Sequence, residues 1–343
     1  MTDYAIVVGI DLYPGISPLQ GAQRDADEVA AWLALPEGGG VDPDNVVRLT
    51  TGCFHPPLPA RASQARPTAD QFRDQFTEIV TDDTGRVRTP AGRRLTLYFS
   101  GHGFMGNTTA IERAVYSANA TTLAPDHIAA TRYANWAVRA GLFDEMVLIC
   151  DACADLSLTT SIAEPILMPL VNAARAARVR TFYAYASPAG AKAREKPLGA
   201  DKQVRGIFSY LLLEALRQAP GADDGCVMAT HVRDYIHNAW PDAAGPDVLP
   251  PTIAVEPARD LLMARRPPTI KQPATAVTIT AVGAGAAEVV VLGGNGKECL
   301  TATMAGGRAE VPLPAGLYKA IVQGTGRSML FQAIGEVTRV DIP

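Results

Sequence analysis

The chain has 343 residues, 48% of them hydrophobic, and a formal net charge of −4 at pH 7. Such a chain can bury a substantial core in one large and one small domain, or in two ordinary ones; it offers no electrostatic case for nucleic acid, and no run approaches the ~20 apolar residues that cross a bilayer. The five cysteines are irregularly spaced and MTDYAIVVGID lacks the features of a secretory signal, so neither a disulfide framework nor export is expected, and the location predicted is cytoplasmic.

YAIVVGI (4–10) is a near-continuous apolar strand, and residues 21–35 follow with helical spacing at Val29, Trp32, Leu33 and Leu35. A loop, PEGGGVDPDN, precedes a second helix that opens at Thr68 with Gln71 three residues on, the pattern of a capping box. RLTLYFSGHG (94–103) reads as a strand running into glycines, ERAVYSA as a shorter strand, and APDHIAATRYANWAVRAG as a helix leading to the strand EMVLICD. EPILMPLVNAARAARV and RTFYAYAS repeat the helix–strand step, and GIFSYLLLEALRQAP and THVRDYIHNAW, with Thr230 as its cap, are further helices.

Strands alternating with helices imply an α/β fold with a mostly parallel sheet covered on both faces. Ligands of such sheets bind beyond the carboxyl ends of the strands. The two informative motifs, SGHG and DACAD, both fall at strand ends. After the proline-rich break RRPPTIKQP the pattern becomes short Val-, Thr- and Gly-rich alternations with turns at GAGA, GGNGK, AGG and PAG. About seven short strands fit there, as a small all-β sandwich. The predicted domains are 1–266 and 270–343, and GGNGK is read as a hairpin turn rather than a phosphate loop.

Cys153 lies just past the apolar run that holds Cys150. One reading is a nucleophile activated by a histidine at a neighbouring strand end, which His102 supplies. The glycines around His102 permit a tight turn and close approach of an N–H to a substrate. Backbone N–H groups of Gly103 and Cys153 would then face a developing oxyanion. A Cys150–Cys153 redox pair is a second reading, although Cys150 belongs to the strand itself. A metal site lacks a second ligand pair, since Cys53, Cys226 and Cys299 are isolated. A buried cysteine beside a chance GHG loop is the plainest alternative. His55, His127, His231 and His237 receive no role, and Asp155 reads as a cap of the following helix.

The paired motifs resemble those of the caspase and metacaspase clan of cysteine peptidases. Caspases carry Q-A-C-[RQG]-G with a histidine about 50 residues upstream; here DAC stands in place of QAC, and His102 precedes Cys153 by 51 residues. YFSGHG is close to the metacaspase histidine motif. YAIVVGIDLYPGISPLQGAQRDADEVAAWL resembles the opening strand and helix of bacterial members, and GIFSYLLLEAL their C-terminal half. The likeness spans residues 1 to about 265. It implies a six-stranded, mostly parallel sheet between helices with a Cys–His dyad at its edge. Ala154 and Asp155 depart from the metacaspase D-x-C-H-S-G, which leaves the subclass open. Only one helix-like segment separates DACAD from RTFYAYAS, so no cleavage loop for maturation into two subunits is expected.

The resemblance also places Asp25 and Asp151 at the two acidic positions that accept arginine or lysine in metacaspases. Aligning YASPAGAKARE with the caspase strand after the cysteine puts Glu195 where caspases carry a pocket arginine. Carboxylates suit the planar fork of a guanidinium. The function implied is a cysteine endopeptidase cutting protein or peptide substrates after Arg or Lys. Arg24, beside Asp25, keeps Asp specificity open, and a pseudopeptidase scaffold that binds a partner through the β domain is the competing reading. No cofactor or metal is implied. Some metacaspases are activated by calcium, but no acidic loop here has a convincing ligand spacing. A monomer is favoured.

Overall fold

The alternating apolar runs and helical spacings resolve, in the computed structural model, into a parallel sheet between helices; residues 1–106, 111–156, 160–199, 201–219, 225–265, 275–294, 296–314, 316–334 and 337–343 are described. The chain forms two compact units, Met1–Tyr210 with Leu249–Leu261, and Leu211–Val248 with Leu262–Pro343.

In chain order, β1 (Asp3–Gly9) leads through α1 (Ala22–Ala34) to β2 (Val46–Thr50), and α2 (Ala69–Val80) to β3 (Gly92–Gly101). Three short strands follow, β4 (Gly103–Met105), β5 (Ala114–Tyr116) and β6 (His127–Ile128), then α3 (Ala130–Ala140), β7 (Phe143–Ala152) and β8 (Asp155–Leu156). The one-turn α4 (Ala173–Ala176) precedes β9 (Arg180–Tyr185), the hairpin β10 (Glu195–Leu198) and β11 (Gln203–Gly206), and α5 (Ile207–Gln218). Next come β12 (Cys226–Met228), α6 (Ala229–Ala244), β13 (Thr252–Val255) and β14 (Leu262–Arg265). Seven strands close the chain: β15 (Thr275–Ala281), β16 (Glu288–Gly293), β17 (Glu298–Thr303), β18 (Arg308–Leu313), β19 (Gly316–Val322), β20 (Ser328–Ala333) and β21 (Val337–Ile342).

The main sheet has six strands in the order β13-β9-β7-β3-β1-β2. All neighbours are parallel except β13, which runs antiparallel to β9. β3 and β7 are central and nearly every residue is buried, which is why both read as apolar runs rather than as alternations. The capping box of α2 is formed in both directions, with Gln71 N donating to Thr68 Oγ1 at 3.3 Å and Thr68 N to Gln71 Oε1 at 3.0 Å. The terminal seven strands form a three-stranded sheet, β18-β15-β21, and a four-stranded one, β17-β16-β19-β20. Both sheets contribute to one core, Val277, Ile279 and Val340 from the first and Val289, Val291 and Ala320 from the second. The mostly β region is therefore a two-sheet sandwich. Its unit also contains α6, where the Tyr235 ring packs against Gly294. No helix among the described residues is long and apolar enough to cross a membrane.

Two expectations about elements need correction. EPILMPLVNAARAARV forms only the single turn of α4, because Pro165 and Pro169 lack donors and bias the residues before them away from helix. Residues 160–172 are thus an irregular connection, and the absence of a loop between DACAD and RTFYAYAS does not hold. α6 begins at Ala229, so Thr230 lies inside it, and the His231 ring rather than a Thr hydroxyl accepts the Met228 N–H at 3.2 Å.

At the amino ends of the central strands Arg94 and Glu145 are register partners and both are buried. Arg94 Nε donates to Glu145 Oε2 at 2.6 Å; Arg93 and Arg180 also reach this carboxylate. Removing one member of a buried pair strands the other charge, at about 3–5 kcal/mol. Glu145→Ala is therefore expected to lose roughly that much stability, read as a lowered urea midpoint with an unchanged slope. A shift under about 1 kcal/mol would mean that Arg94 finds other compensation.

Candidate active site

β3 and β7 pair in parallel up to Gly101 and Ala152, which lie opposite one another. The next residues are His102 and Cys153. Two residues further on, the chains pair again, with β4 and β8 parallel from Phe104 and Asp155. His102–Gly103 and Cys153–Ala154 are therefore bridges of equal length between the same two paired segments. Adjacent strands lie about 4.8 Å apart, so the two bridges run alongside each other. Gly103 is required there, because a Cβ would sit 2.6 Å from Ala152 Cβ and 3.0 Å from the Cys153 carbonyl oxygen.

Both side chains are half-buried. His102 Nε2 lies 2.8 Å from the Ser17 carbonyl oxygen. A carbonyl only accepts, so this bond puts the proton on Nε2 and leaves a lone pair on Nδ1. Tyr13 packs its ring 5.1 Å from the imidazole, and its hydroxyl accepts from the His102 backbone N–H at 3.1 Å. Burial holds the Tyr13 phenol far above its ordinary pKa, so it stays neutral. Cys153 Sγ is 3.9 Å from the Ala193 carbonyl oxygen. The following residue is fastened by Ala154 N to Ala191 O and Gly190 N to Ala154 O, both 2.9 Å. Cys150 lies in the core, and burial pushes its thiol up and out of the reactive range. None of the five cysteines is joined in a disulfide among the described residues.

Strand alternation turns Asp151 to the face opposite Cys150, where it meets Asp25 of α1. Both carboxylates are buried. Asp25 Oδ2 accepts from Gly206 N at 2.7 Å, while its Oδ1 is buried with no hydrogen-bond partner among the described residues. Asp151 Oδ2 accepts from Ser209 Oγ at 2.6 Å and Ser209 N at 3.1 Å. Gly206 sits between them: a Cβ would collide with the Asp151 carboxylate and lie 3.0 Å from Asp25 Oδ2. Burial, then the neighbouring Asp151 charge, raises Asp25 to about 9. Burial raises Asp151 to about 6 against the lowering bonds of Ser209.

Glu195 is placed beside this pair but engaged elsewhere, accepting from Gln20 N at 3.2 Å and Gly21 N at 3.0 Å at the start of α1. Asp11, which the sequence reading did not single out, faces the same helix start. Burial raises its pKa, and the Gln23 and Ala22 amides and Glu195 act on it. Its place at the end of β1, the neighbour of β3, was the available signal. Arg24 points to the exposed side, where Nη2 donates to Gln203 Oε1 at 3.1 Å. Asp155 lies in β8 rather than at a helix start.

A model of the caspase domain matches residues 2–247, and the chain belongs to that family. It is 26% identical over 220 residues to a "Probable protease" of a Desulfuromonadales bacterium, and spans about a quarter (26%) of that relative's length. Among solved structures, pro-sf-caspase-1 is similar over 77% of this chain and 91% of its own, at 13% identity and a TM-score of 0.43. A complex of Porphyromonas gingivalis RgpB pro- and mature domains is similar over 98% of this chain and 68% of its own, at 12% identity and a TM-score of 0.32. The family is one of peptidases, and hydrolysis is the class of activity it carries.

The raised carboxylates have a consequence for stability. A carboxyl whose folded pKa exceeds its unfolded one binds more protons folded, so its contribution is fully present below about pH 4 and is lost as pH rises through the folded pKa. That window runs to about 6 for Asp151 and about 9 for Asp25. Asp25→Asn cannot ionise, so it is expected to be more stable than wild type at pH 8 and nearly equal at pH 4.5, by urea denaturation. An advantage that does not grow with pH would show that Asp25 is ionised without cost.

Proposed function

We propose that the chain is a cysteine endopeptidase that cuts after Arg or Lys, with Cys153 as nucleophile and His102 as its base. The observation that supports this is the pair of equal bridges, one starting with His102 and the other with Cys153, at the ends of paired strands. His102 Nδ1 takes the thiol proton, and the sulfur attacks the scissile carbonyl carbon as the C=O electron pair moves onto oxygen. The Gly103 and Cys153 N–H groups meet that oxyanion. As the carbonyl reforms, the C–N bond breaks and the amine leaves with the proton from the imidazolium. Water, deprotonated by His102, then hydrolyses the thioester and returns the thiol.

Selectivity for a basic residue is supported by two buried carboxylates with Asp25 Oδ1 unpartnered. A guanidinium would supply donors to both carboxyl groups and a positive charge against the one that is ionised. Arg24, bonded to Gln203 on the surface, gives the Asp-specific reading no support. Glu195 would act on the pocket as a neighbouring charge. The activity is proposed to reside in the cytoplasm, on protein or peptide substrates, with the sandwich available to a partner protein.

Cys153→Ala and His102→Ala are each expected to lower hydrolysis of an arginyl peptide by more than about a thousandfold, while Cys150→Ala keeps most of it. Full activity in folded Cys153→Ala would end the peptidase reading in favour of a binding scaffold. Asp25→Ala and Asp151→Ala are expected to lose about a hundredfold or more in kcat/KM, since the bound cation is left underpaired. In wild type kcat/KM for basic substrates should fall below about pH 6 as Asp151 protonates and rise toward about pH 9 as Asp25 ionises. A substrate library cut mainly after Asp would contradict the pocket assignment.

A further inference from the structure

Arg113 is one of the largest fully buried side chains of the molecule. Arginine is almost never fully buried unless an acid pairs with it. Here, among the described residues, the guanidinium's recorded partners are two carbonyls and a ring. Nη1 donates to Glu112 O and Nη2 to Ser187 O, each at 3.2 Å, and the group lies 5.0 Å over the Tyr185 ring. Nε is buried with no hydrogen-bond partner. The backbone of Arg113 is fixed as well, by Arg113 N to Thr131 Oγ1 at 2.9 Å and Thr131 N to Arg113 O at 3.2 Å. A cation left without its usual partner is a local violation of folding rules, and such violations concentrate at functional sites.

What Arg113 holds is informative. Ser187 follows β9, and its Oγ donates to the Ala152 carbonyl oxygen at 3.1 Å in a buried bond. That oxygen belongs to the peptide unit joining Ala152 to Cys153. Because a peptide unit is planar, fixing its carbonyl fixes the direction of its N–H, and that N–H is Cys153's. The chain Arg113 to Ser187 to Ala152 O therefore reaches the nucleophile's own peptide plane in two hydrogen bonds. It does so from the core side, opposite the Asp25–Asp151 pocket.

We infer that Arg113 is a positioning residue that, through Ser187, aims the Cys153 N–H at the oxyanion of the reaction. This inference rests on the cysteine-peptidase reading above and adds to it two residues that touch neither substrate nor thiol. An oxyanion donor contributes to the transition state and hardly to substrate binding; its loss reduces kcat by about 10²–10³-fold, and a misaimed donor somewhat less. The loss should therefore appear in kcat, not KM.

The test uses the full chain with Arg113→Met, Ser187→Ala and the double variant. Steady-state hydrolysis of an arginyl fluorogenic peptide is measured together with the affinity for a peptidyl-arginal, whose thiol adduct places an oxygen in the same hole. Each single variant is expected to lose about ten- to a hundredfold in kcat with KM within twofold. Aldehyde affinity should fall in parallel, and the double variant should be no worse than the poorer single one, as members of one chain are non-additive. Alkylation of Cys153 by iodoacetamide forms no oxyanion and should stay within about threefold of wild type. Ser187→Ala removes only a hydroxyl, so it carries the test if Arg113→Met does not fold. Wild-type kcat and aldehyde affinity in Ser187→Ala, fully multiplying losses in the double variant, or an equal loss in alkylation would each overturn the inference. Failure of the underlying reading looks different: wild type would leave Cys153 unalkylated, or Cys153→Ala would still cut.

Discussion

The register between β3 and β7 is the constraint on which the site depends. Arg94 faces Glu145 at one end, and seven residues along each strand Gly101 faces Ala152 at the other. A buried ion pair is poor at adding net stability and good at rejecting alternatives, because a slipped register would separate Arg94 from Glu145 in the core. The same pairing that rejects slippage at the amino ends delivers His102 and Cys153 together at the carboxyl ends. The short parallel pairing of β4 with β8 repeats the restraint on the far side. The two residues are thus positioned by backbone pairing, which is stiffer than a loop.

Strand alternation then divides the chemistry between two faces. Asp151 turns to Asp25, with Gly206 between the two carboxylates, and Cys150 turns into the core with Tyr185 and Ala152. The first face holds carboxyl groups that burial keeps partly protonated. The core face holds a buried cation bonded to carbonyls. Each arrangement is unfavourable to folding when viewed alone. On the proposed reading, a substrate guanidinium would complete the first, and the second would serve to orient the Cys153 peptide through Ser187.

Much of this was legible in the sequence, and the parts that were not have physical reasons. Continuous apolar runs marked the central strands, and Thr68 with Gln71 marked the start of α2 through purely local bonds. SGHG and DACAD stood out because polar and small residues end an apolar run abruptly. Glu195 was harder, since proximity to a pocket does not reveal that its oxygens are engaged by the Gln20 and Gly21 amides. The helical reading of residues 164–179 counted apolar spacing and underweighted two prolines. Arg113 gives no local signal at all: one arginine in ERAVYSA reads as the solvent face of a short strand, and only tertiary packing over Tyr185 makes it buried.

The most direct test is to react the full-length protein with a peptidyl-arginyl chloromethylketone and locate the adduct by peptide mass mapping. The account expects a single adduct on Cys153, formed far more slowly when Asp25 or Asp151 is replaced by Ala, and not formed by the matching aspartyl reagent. An adduct on Cys53 or Cys150 with Cys153 untouched, or faster labelling by the aspartyl reagent, would contradict it.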